Sequence, residues 1–64
     1  DIILLKSTSQ YGFLCIENKT PKGRQEPEQK VFQFEVERHG GKYIIVRSID
    51  EFMKAIDNYL NGEL

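Results

Sequence analysis

The sequence predicts a small α/β (α+β) domain with the element order strand, strand, helix, strand, helix. Two observations carry this prediction. Short apolar runs rich in branched residues recur along the chain, which is typical of strands in a covered sheet. The segments after the second and third runs have helix start and stop signals, and a strand–helix–strand step indicates a mixed sheet with helices on its faces.

The size and composition limit what the domain can be. The 64 residues allow one small domain, here residues 1–64, and domains of this size are usually stabilised by a disulfide, a metal or a partner chain. Cys15 is the only cysteine, and its apolar neighbours favour a buried thiol over a reactive one. The net charge of −1 argues against binding nucleic acid through bulk charge. No apolar run suits a membrane span or a secretion signal, so we expect a cytoplasmic protein without membrane contact.

The first two strands are predicted at residues 2–5 and 11–19, joined by a polar turn. Residues 2–5 are uniformly apolar and indicate a buried strand. In the second strand, period-2 order places on one face Phe13, Cys15, Glu17 and Lys19, and on the other Gly12, Leu14, Ile16 and Asn18. Because both faces begin with apolar residues, we expect this strand to be central, with polar chemistry at its C-terminal end.

The segment 28–39 has features of both a strand and a helix. Phe32, Phe34 and Val36 alternate as in a strand, but Pro27 and Gly40-Gly41 are typical start and stop signals of a helix. We therefore predict a helix, with Phe32 in the core and His39 as a structural residue at its C-terminus.

A third strand is predicted at residues 42–47, with Tyr43 in the core, and a last helix after it. Ser48 and Glu51 match an S-x-x-E capping box, and Asn61-Gly62 ends the helix. Its buried face is predicted from residues at helical spacing, namely Ile49, Phe52, Met53, Ile56, Tyr59 and Leu60.

Polar side chains at the C-terminal end of the predicted central strand suggest a metal-binding site. Glu17 and Lys19 follow the apolar face of the central strand, and Asp1 begins the first strand. Carboxylate oxygens from adjacent strands, with a backbone carbonyl and waters, suit Mg²⁺, which can polarise a phosphoryl oxygen. The lysine would hold an attacking water or balance phosphate charge. The alternative is an ordinary solvated ion pair, since E-x-K is common at strand ends.

Basic residues cluster close to that sheet end. The loop from Lys19 to Arg24 contains three cations and no acid, and Arg47 leaves the third strand at the same end. If the domain binds DNA, Lys22 and Arg24 would contact DNA phosphates, and Arg47 is predicted to be a further DNA contact. Otherwise Lys22 and Arg24 belong to an ordinary solvated loop.

Several motifs in order resemble one nuclease family. They are the acidic strand start at Asp1, the E-x-K at Glu17 to Lys19, the Lys-Thr-Pro-Lys-Gly-Arg loop at 19–24 and Glu-Gln-Lys at 28–30. Together with Gly40-Gly41 and the strand after it, they closely resemble the virus-type replication-repair nuclease domain of the PD-(D/E)xK superfamily. The resemblance spans nearly the whole chain.

The resemblance implies a restriction-endonuclease-like core, here lacking its N-terminal helix, and a metal-dependent DNA endonuclease. It implies Mg²⁺ or Mn²⁺ as cofactor and Asp1 and Glu17 as its carboxylate ligands, with the Asn18 carbonyl as a further ligand. Lys19 would be the motif lysine, and Gln29 would lie near the site. It further implies branched or duplex DNA as substrate, a role in replication or repair, a homodimer, and a bacterial or viral origin.

A non-catalytic module of the same fold is the alternative. It would use Lys22, Arg24 and Lys30 to hold DNA, or the sheet edge to dimerise. The helix that normally precedes the motif aspartate has no counterpart before Asp1, and this departure from the family favours the module, whereas the presence of Asp1, Glu17 and Lys19 together favours the enzyme. In a second departure, Asn18 stands where the family usually has an apolar residue, which predicts a less buried face at that position. Because the helix has no counterpart, we expect a domain that is incomplete at its N-terminus, which puts activity of these residues alone in doubt.

Overall fold

The computed structural model describes residues 2–64, and Asp1 lies outside the described residues. The elements follow in the predicted order, as β1 Ile2–Leu4, β2 Phe13–Asn18, α1 Pro27–Arg38, β3 Gly41–Val46 and α2 Ile49–Leu60. The described strands form one three-stranded sheet in the order β1-β2-β3. β1 pairs antiparallel with β2, and β2 pairs parallel with β3. The predicted mixed α/β class is confirmed.

β2 is the central strand, as its two apolar faces predicted. Its side chains alternate between two core clusters, because successive residues of a strand point to opposite sides of the sheet. The cluster on the α2 side consists of Leu14, Ile16, Val46, Ala55 and Tyr59. The cluster on the α1 side consists of Cys15, Val36 and Tyr43. A helix therefore covers each face of β2, and the fully buried Cys15 is a core residue.

Both helices begin and end where the sequence signals lie. Pro27 is the first residue of α1, and Gly40 follows the helix with a φ of 89°, a conformation that glycine adopts without strain. At the start of α2, Ser48 Oγ accepts a hydrogen bond of 3.1 Å from the Glu51 amide. The Glu51 carboxylate accepts its own bond from the Arg47 amide at 2.8 Å, rather than from the Ser48 amide of a full capping box.

The prediction that the first strand is buried is wrong. β1 is the edge of the sheet among the described residues, and Ile2 and Ile3 are 43% and 53% exposed. Only Leu4 of this strand packs against the α2-side core. The short apolar run of residues 2–5 did not indicate an edge position, because the place of a strand in a sheet depends on which strands pair with it.

The buried face of α2 also differs from the prediction. Ala55 and Tyr59 are its buried residues, and Phe52 and Ile56 pack beside them. Three other residues predicted to be buried, Ile49, Met53 and Leu60, are exposed. In α1, Phe32 is 40% exposed, although the edge of its ring contacts Tyr43. In each case helical spacing predicts more buried residues than the number that pack against the sheet. Neither described helix has the length and apolar character needed to cross a bilayer.

Candidate functional site

The C-terminal ends of β2 and β3 lie at one end of the sheet, because the two strands are parallel. Asn18 pairs with Val46 at this end, and the Lys19 amide donates to the Val46 carbonyl at 3.0 Å. β1 is antiparallel to β2, so the first residue of β1, Ile2, pairs with Ile16 near the same end. Crevices outside the carboxyl ends of strands are common binding positions in α/β domains. The polar residues predicted to carry chemistry are therefore at a favourable place in the fold.

Glu17 is a buried acidic residue near the C-terminal end of β2. Its residue surface is only 5% exposed, although its side chain ends in a carboxylate. Burying a charged carboxylate is costly unless hydrogen bonds and opposite charge compensate. Tyr43 Oη donates to Glu17 Oε1 at 2.8 Å, and Gln29 Nε2 donates to Glu17 Oε2 at 2.9 Å. Each carboxylate oxygen thus has its own neutral donor.

Gln29 connects this carboxylate to the start of α1. Its Oε1 accepts a 2.8 Å hydrogen bond from the Glu26 amide, which is one of the free N–H groups at the helix N-terminus. With its oxygen held there, the amide nitrogen of Gln29 is directed at Glu17. The start of α1 therefore sets the orientation of a donor in the site. Gln29 therefore lies within hydrogen-bonding distance of Glu17, and its predicted role in the site stays a prediction.

Burial and the charge of Glu17 also affect the titration of neighbouring groups. Burial, and next the hydrogen bond to Glu17, raise the pKa of Tyr43 from 10.0 to about 12. Burial, and next the Glu17 charge, raise the pKa of the Cys15 thiol. Both groups therefore stay neutral near pH 7: Tyr43 is a permanent hydrogen-bond donor, and Cys15 is an unreactive thiol.

Lys19 provides the positive charge closest to the carboxylate. Its Nζ lies 3.9 Å from Glu17 Oε2, and its side chain is 14% exposed. Lys19 also lines an open cleft of about 370 Å³ at the strand ends. The apolar part of the cleft is formed by Ile2, Val46, Ile49 and Phe52, and the polar part by Asn18, Lys19, Arg47 and Ser48. Lys19 thus stands between the buried acid and the solvent-filled cleft.

Arg47 holds the basic loop against the end of β3. One of its terminal nitrogens, Nη1, donates to the carbonyls of Thr20 at 2.9 Å and Gly23 at 2.6 Å. The Gly23 amide in turn donates to the Thr20 carbonyl at 3.0 Å, which closes a turn. The predicted DNA-contacting role of Arg47 stays a prediction, and the structure adds a structural role in fixing the loop.

The remaining predicted residues lie around this cluster. Asn18 is the exposed last residue of β2, Lys22 and Arg24 are exposed in the loop, and Lys30 is exposed on α1. Asp1, predicted as the second metal carboxylate, lies outside the described residues. Among residues 2–64 there is no group of three or more His, Cys, Asp or Glu side chains arranged to hold a metal ion. Within that range, the predicted metal ligands are the Glu17 carboxylate and the Asn18 carbonyl.

The chemistry of these donors is compatible with Mg²⁺ or Mn²⁺. Mg²⁺ keeps several waters and usually binds through one or two carboxylates and substrate phosphates. Each carboxylate oxygen of Glu17 accepts one hydrogen bond from a neutral side chain, whereas a carboxylate oxygen has about two acceptor positions. An acceptor position therefore remains on each oxygen. Glu17 can contribute one carboxylate of such a set, and the positions of Lys19 and the cleft suit a phosphate.

Tyr43 is the site residue that sequence reasoning assigned only to the core. It is buried, as predicted, but its hydroxyl also donates to the acid of the site. The sequence contained a signal for this. In the parallel pair, Tyr43 stands opposite Cys15, one step before Glu17 on the same face. A hydroxyl in an otherwise apolar strand, facing a buried acid, indicates a donor and acceptor pair once the strand register is known.

Comparisons of this chain with protein-family models, with curated proteins and with solved structures find no match at the thresholds applied.

Proposed function

We propose that this chain carries the metal-binding core of a divalent-metal-dependent DNA endonuclease, with a restriction-endonuclease-like fold. The observation that supports it most is the environment of Glu17. This carboxylate is buried at the end of the central strand, held by two donors, and paired with Lys19 beside an open cleft. A solvated ion pair at a strand end needs neither burial nor two dedicated donors.

The residues divide the work of phosphodiester hydrolysis between them. In this proposal Glu17, the carbonyl of Asn18 and Asp1 would hold the metal ion. A divalent cation held there would supply polarisation of a phosphoryl oxygen and a lowered pKa for a bound water. Lys19 orients the attacking water or offsets charge that develops on the phosphate.

DNA is the proposed substrate because several cations lie in or near the cleft, although the chain as a whole is not basic. The net charge is −1, so bulk attraction to nucleic acid is weak. Lys22 and Arg24 are nevertheless exposed in a loop that Arg47 fixes beside the cleft. A fixed loop that carries two exposed cationic side chains suits contacts with DNA phosphates near the cleavable bond. Branched or junction DNA is the preferred substrate in this proposal, on the resemblance to replication and repair nucleases.

The test is cleavage of labelled duplex, flap and four-way junction DNA with Mg²⁺ and with Mn²⁺, beside DNA binding measured in Ca²⁺. Wild-type protein should cut at least one of these substrates. Glu17→Gln, which keeps the shape but removes the charged ligand, should abolish cleavage. Lys54→Ala, which removes an exposed lysine of α2, is the matched control and should cut like wild type. If the wild-type protein binds DNA but cuts none of the substrates with either metal, the enzyme proposal is wrong.

A non-catalytic DNA-binding module is the second candidate. The observation that favours it is that the described residues supply a single carboxylate to the site, with no cluster of three metal-binding side chains. In that case Glu17 and Lys19 form a structural pair, and Lys22, Arg24 and Lys30 hold the DNA backbone. Binding without cleavage in the assay above supports this candidate.

A homodimer is part of the proposal because large apolar side chains remain exposed on one side of the domain. Met53 and Leu60 lie seven positions apart on one face of α2, outside the residues that line the cleft, and they are 58% and 49% exposed. Contiguous exposed apolar side chains usually mark an interaction surface. A second copy of the chain is the proposed cover, as in the paired nucleases that the sequence resembles.

A further inference from the structure

We infer that Tyr43 is a positioning residue, which together with Gln29 fixes the orientation of the Glu17 carboxylate for a divalent cation. The cation is part of the proposed function, so this inference rests on it, but the clamp on the carboxylate is a property of the described residues. It is formed by one donor from β3 and one from α1.

The clamp acts on both oxygens of the carboxylate. Tyr43 Oη bonds Oε1 at 2.8 Å and Gln29 Nε2 bonds Oε2 at 2.9 Å. A carboxylate held at both oxygens by groups on different elements can neither rotate about its last bond nor change its side-chain rotamer without breaking at least one of the two hydrogen bonds. The group is therefore ordered before any ligand binds, which reduces the entropy cost of binding.

Tyr43 is itself held rigidly, so it can transmit that order. It is 5% exposed and lies in the core cluster with Cys15 and Val36. The ring of Phe32 packs against it edge-on, with centroids 6.2 Å apart and an interplanar angle of 75°. Gln29 is fixed by a different contact, the hydrogen bond from the Glu26 amide at the start of α1. Two independently anchored donors thus converge on one acid.

A purely structural role predicts a different outcome. In a structural network, the two donors exist only to compensate the cost of burying Glu17, and their loss affects stability alone. In a metal site, hydrogen-bond partners of the ligands orient them, and losing one partner typically lowers metal affinity or activity by about 10–100-fold. Metal affinity in a folded variant therefore distinguishes the two roles.

The experiment compares wild type, Tyr43→Phe and the control Tyr59→Phe. Tyr59 is also buried, and its hydroxyl donates to the Lys6 carbonyl at 2.6 Å, but it lies on the α2 side, away from Glu17. Mn²⁺ affinity is measured by electron paramagnetic resonance of free Mn²⁺. The side-chain rotamer of Glu17 is followed by NMR scalar couplings in protein with labelled glutamate, assigned with Glu17→Gln.

Tyr43→Phe should lower Mn²⁺ affinity by about 10–100-fold and leave the Glu17 side chain averaging between rotamers, whereas Tyr59→Phe should change neither. Measurable Mn²⁺ binding with equal affinity in wild type and a folded Tyr43→Phe variant, or a Glu17 that keeps one rotamer in that variant, overturns the inference. If no form binds Mn²⁺ but only Tyr43→Phe frees the Glu17 side chain, the clamp stands and the proposed metal function fails. If Tyr43→Phe does not fold, wild type alone decides, because an averaging Glu17 side chain there overturns the inference.

Discussion

The effect of Tyr43→Phe on stability should depend on pH, because burial, and next the hydrogen bond to Glu17, raise the pKa of the hydroxyl that the variant loses. A hydrogen bond to a charged group contributes about 1.5–3 kcal/mol, and we expect the variant to lose this amount at pH 8. The total stability of a 64-residue domain is roughly 3–10 kcal/mol, so the loss is a large part of it.

The sign of the pH dependence follows from the pKa of Tyr43, which is raised from 10.0 to about 12 in the folded protein. A raised pKa means that the folded state favours the protonated hydroxyl. This contribution is complete below pH 10, the unfolded pKa, and is lost as the pH rises through the folded pKa. The loss is about 1.4 kcal/mol for each pH unit within that window, hence about 1.4 kcal/mol at pH 11. The unfolding free energy of wild type therefore falls in this pH range, and its difference from that of Tyr43→Phe becomes smaller.

The assay is urea unfolding followed by circular dichroism at pH 8, 10 and 11, in the presence of a chelator. Tyr11→Phe is the control, since it removes a hydroxyl near the opposite end of the sheet, where Gly12 bonds Gly40. Its difference in unfolding free energy from wild type should be small at pH 8. A stability difference between wild type and Tyr43→Phe that stays constant from pH 8 to 11 would refute the raised pKa of the Tyr43 hydroxyl.

Three further predictions concern DNA contacts, helix capping and assembly. The double variant Lys22→Ala, Arg24→Ala should weaken DNA binding on every sequence and reduce the log–log slope of affinity against salt by about one per lost phosphate contact. Lys19→Ala should instead remove cleavage and largely spare DNA binding. If either variant lowered cleavage and DNA binding equally, this division of roles would be contradicted. Ser48→Ala should cost about 1 kcal/mol in urea unfolding through loss of the bond to the Glu51 amide, and Ser9→Ala in the exposed turn should cost less than about 0.5 kcal/mol. Sedimentation should show a dimer at micromolar concentration that Met53→Lys dissociates and Lys54→Gln does not, and a folded wild-type monomer would contradict the dimer.

Local signals were enough to predict the order and approximate bounds of the elements. Pro27, the Ser48 to Glu51 spacing and Gly40 act within a few residues of themselves, so their meaning does not depend on the rest of the fold. The two apolar faces of β2 likewise required a covered strand, and the structure covers it. The predicted closeness of Glu17 and Lys19 followed from their period-2 spacing, and their charged atoms lie 3.9 Å apart.

The features that depend on tertiary pairing were not predictable from local signals. The exposure of β1 follows from its position at the sheet edge, and the exposure of Ile49 and Met53 from the way α2 lies on the sheet. The hydrogen bond from Tyr43 to Glu17 joins residues 26 positions apart, and it requires the register between β2 and β3. Distant contacts of this kind also bring Arg47 to the loop carbonyls.

The proposal that Glu17 is a ligand of a divalent cation is tested most directly by a Mn²⁺ titration of isotope-labelled protein followed by NMR. Mn²⁺ is paramagnetic, so signals within a short distance of the bound ion broaden selectively. At substoichiometric Mn²⁺ we expect broadening of the Glu17, Asn18 and Lys19 signals, with residues of the opposite sheet end such as Gly40 unaffected. Glu17→Gln should abolish this local broadening, because a neutral amide is a poor ligand for a hard dication. Signals of residues 17–19 that stay sharp in wild type, or that broaden equally in Glu17→Gln, would contradict the metal site.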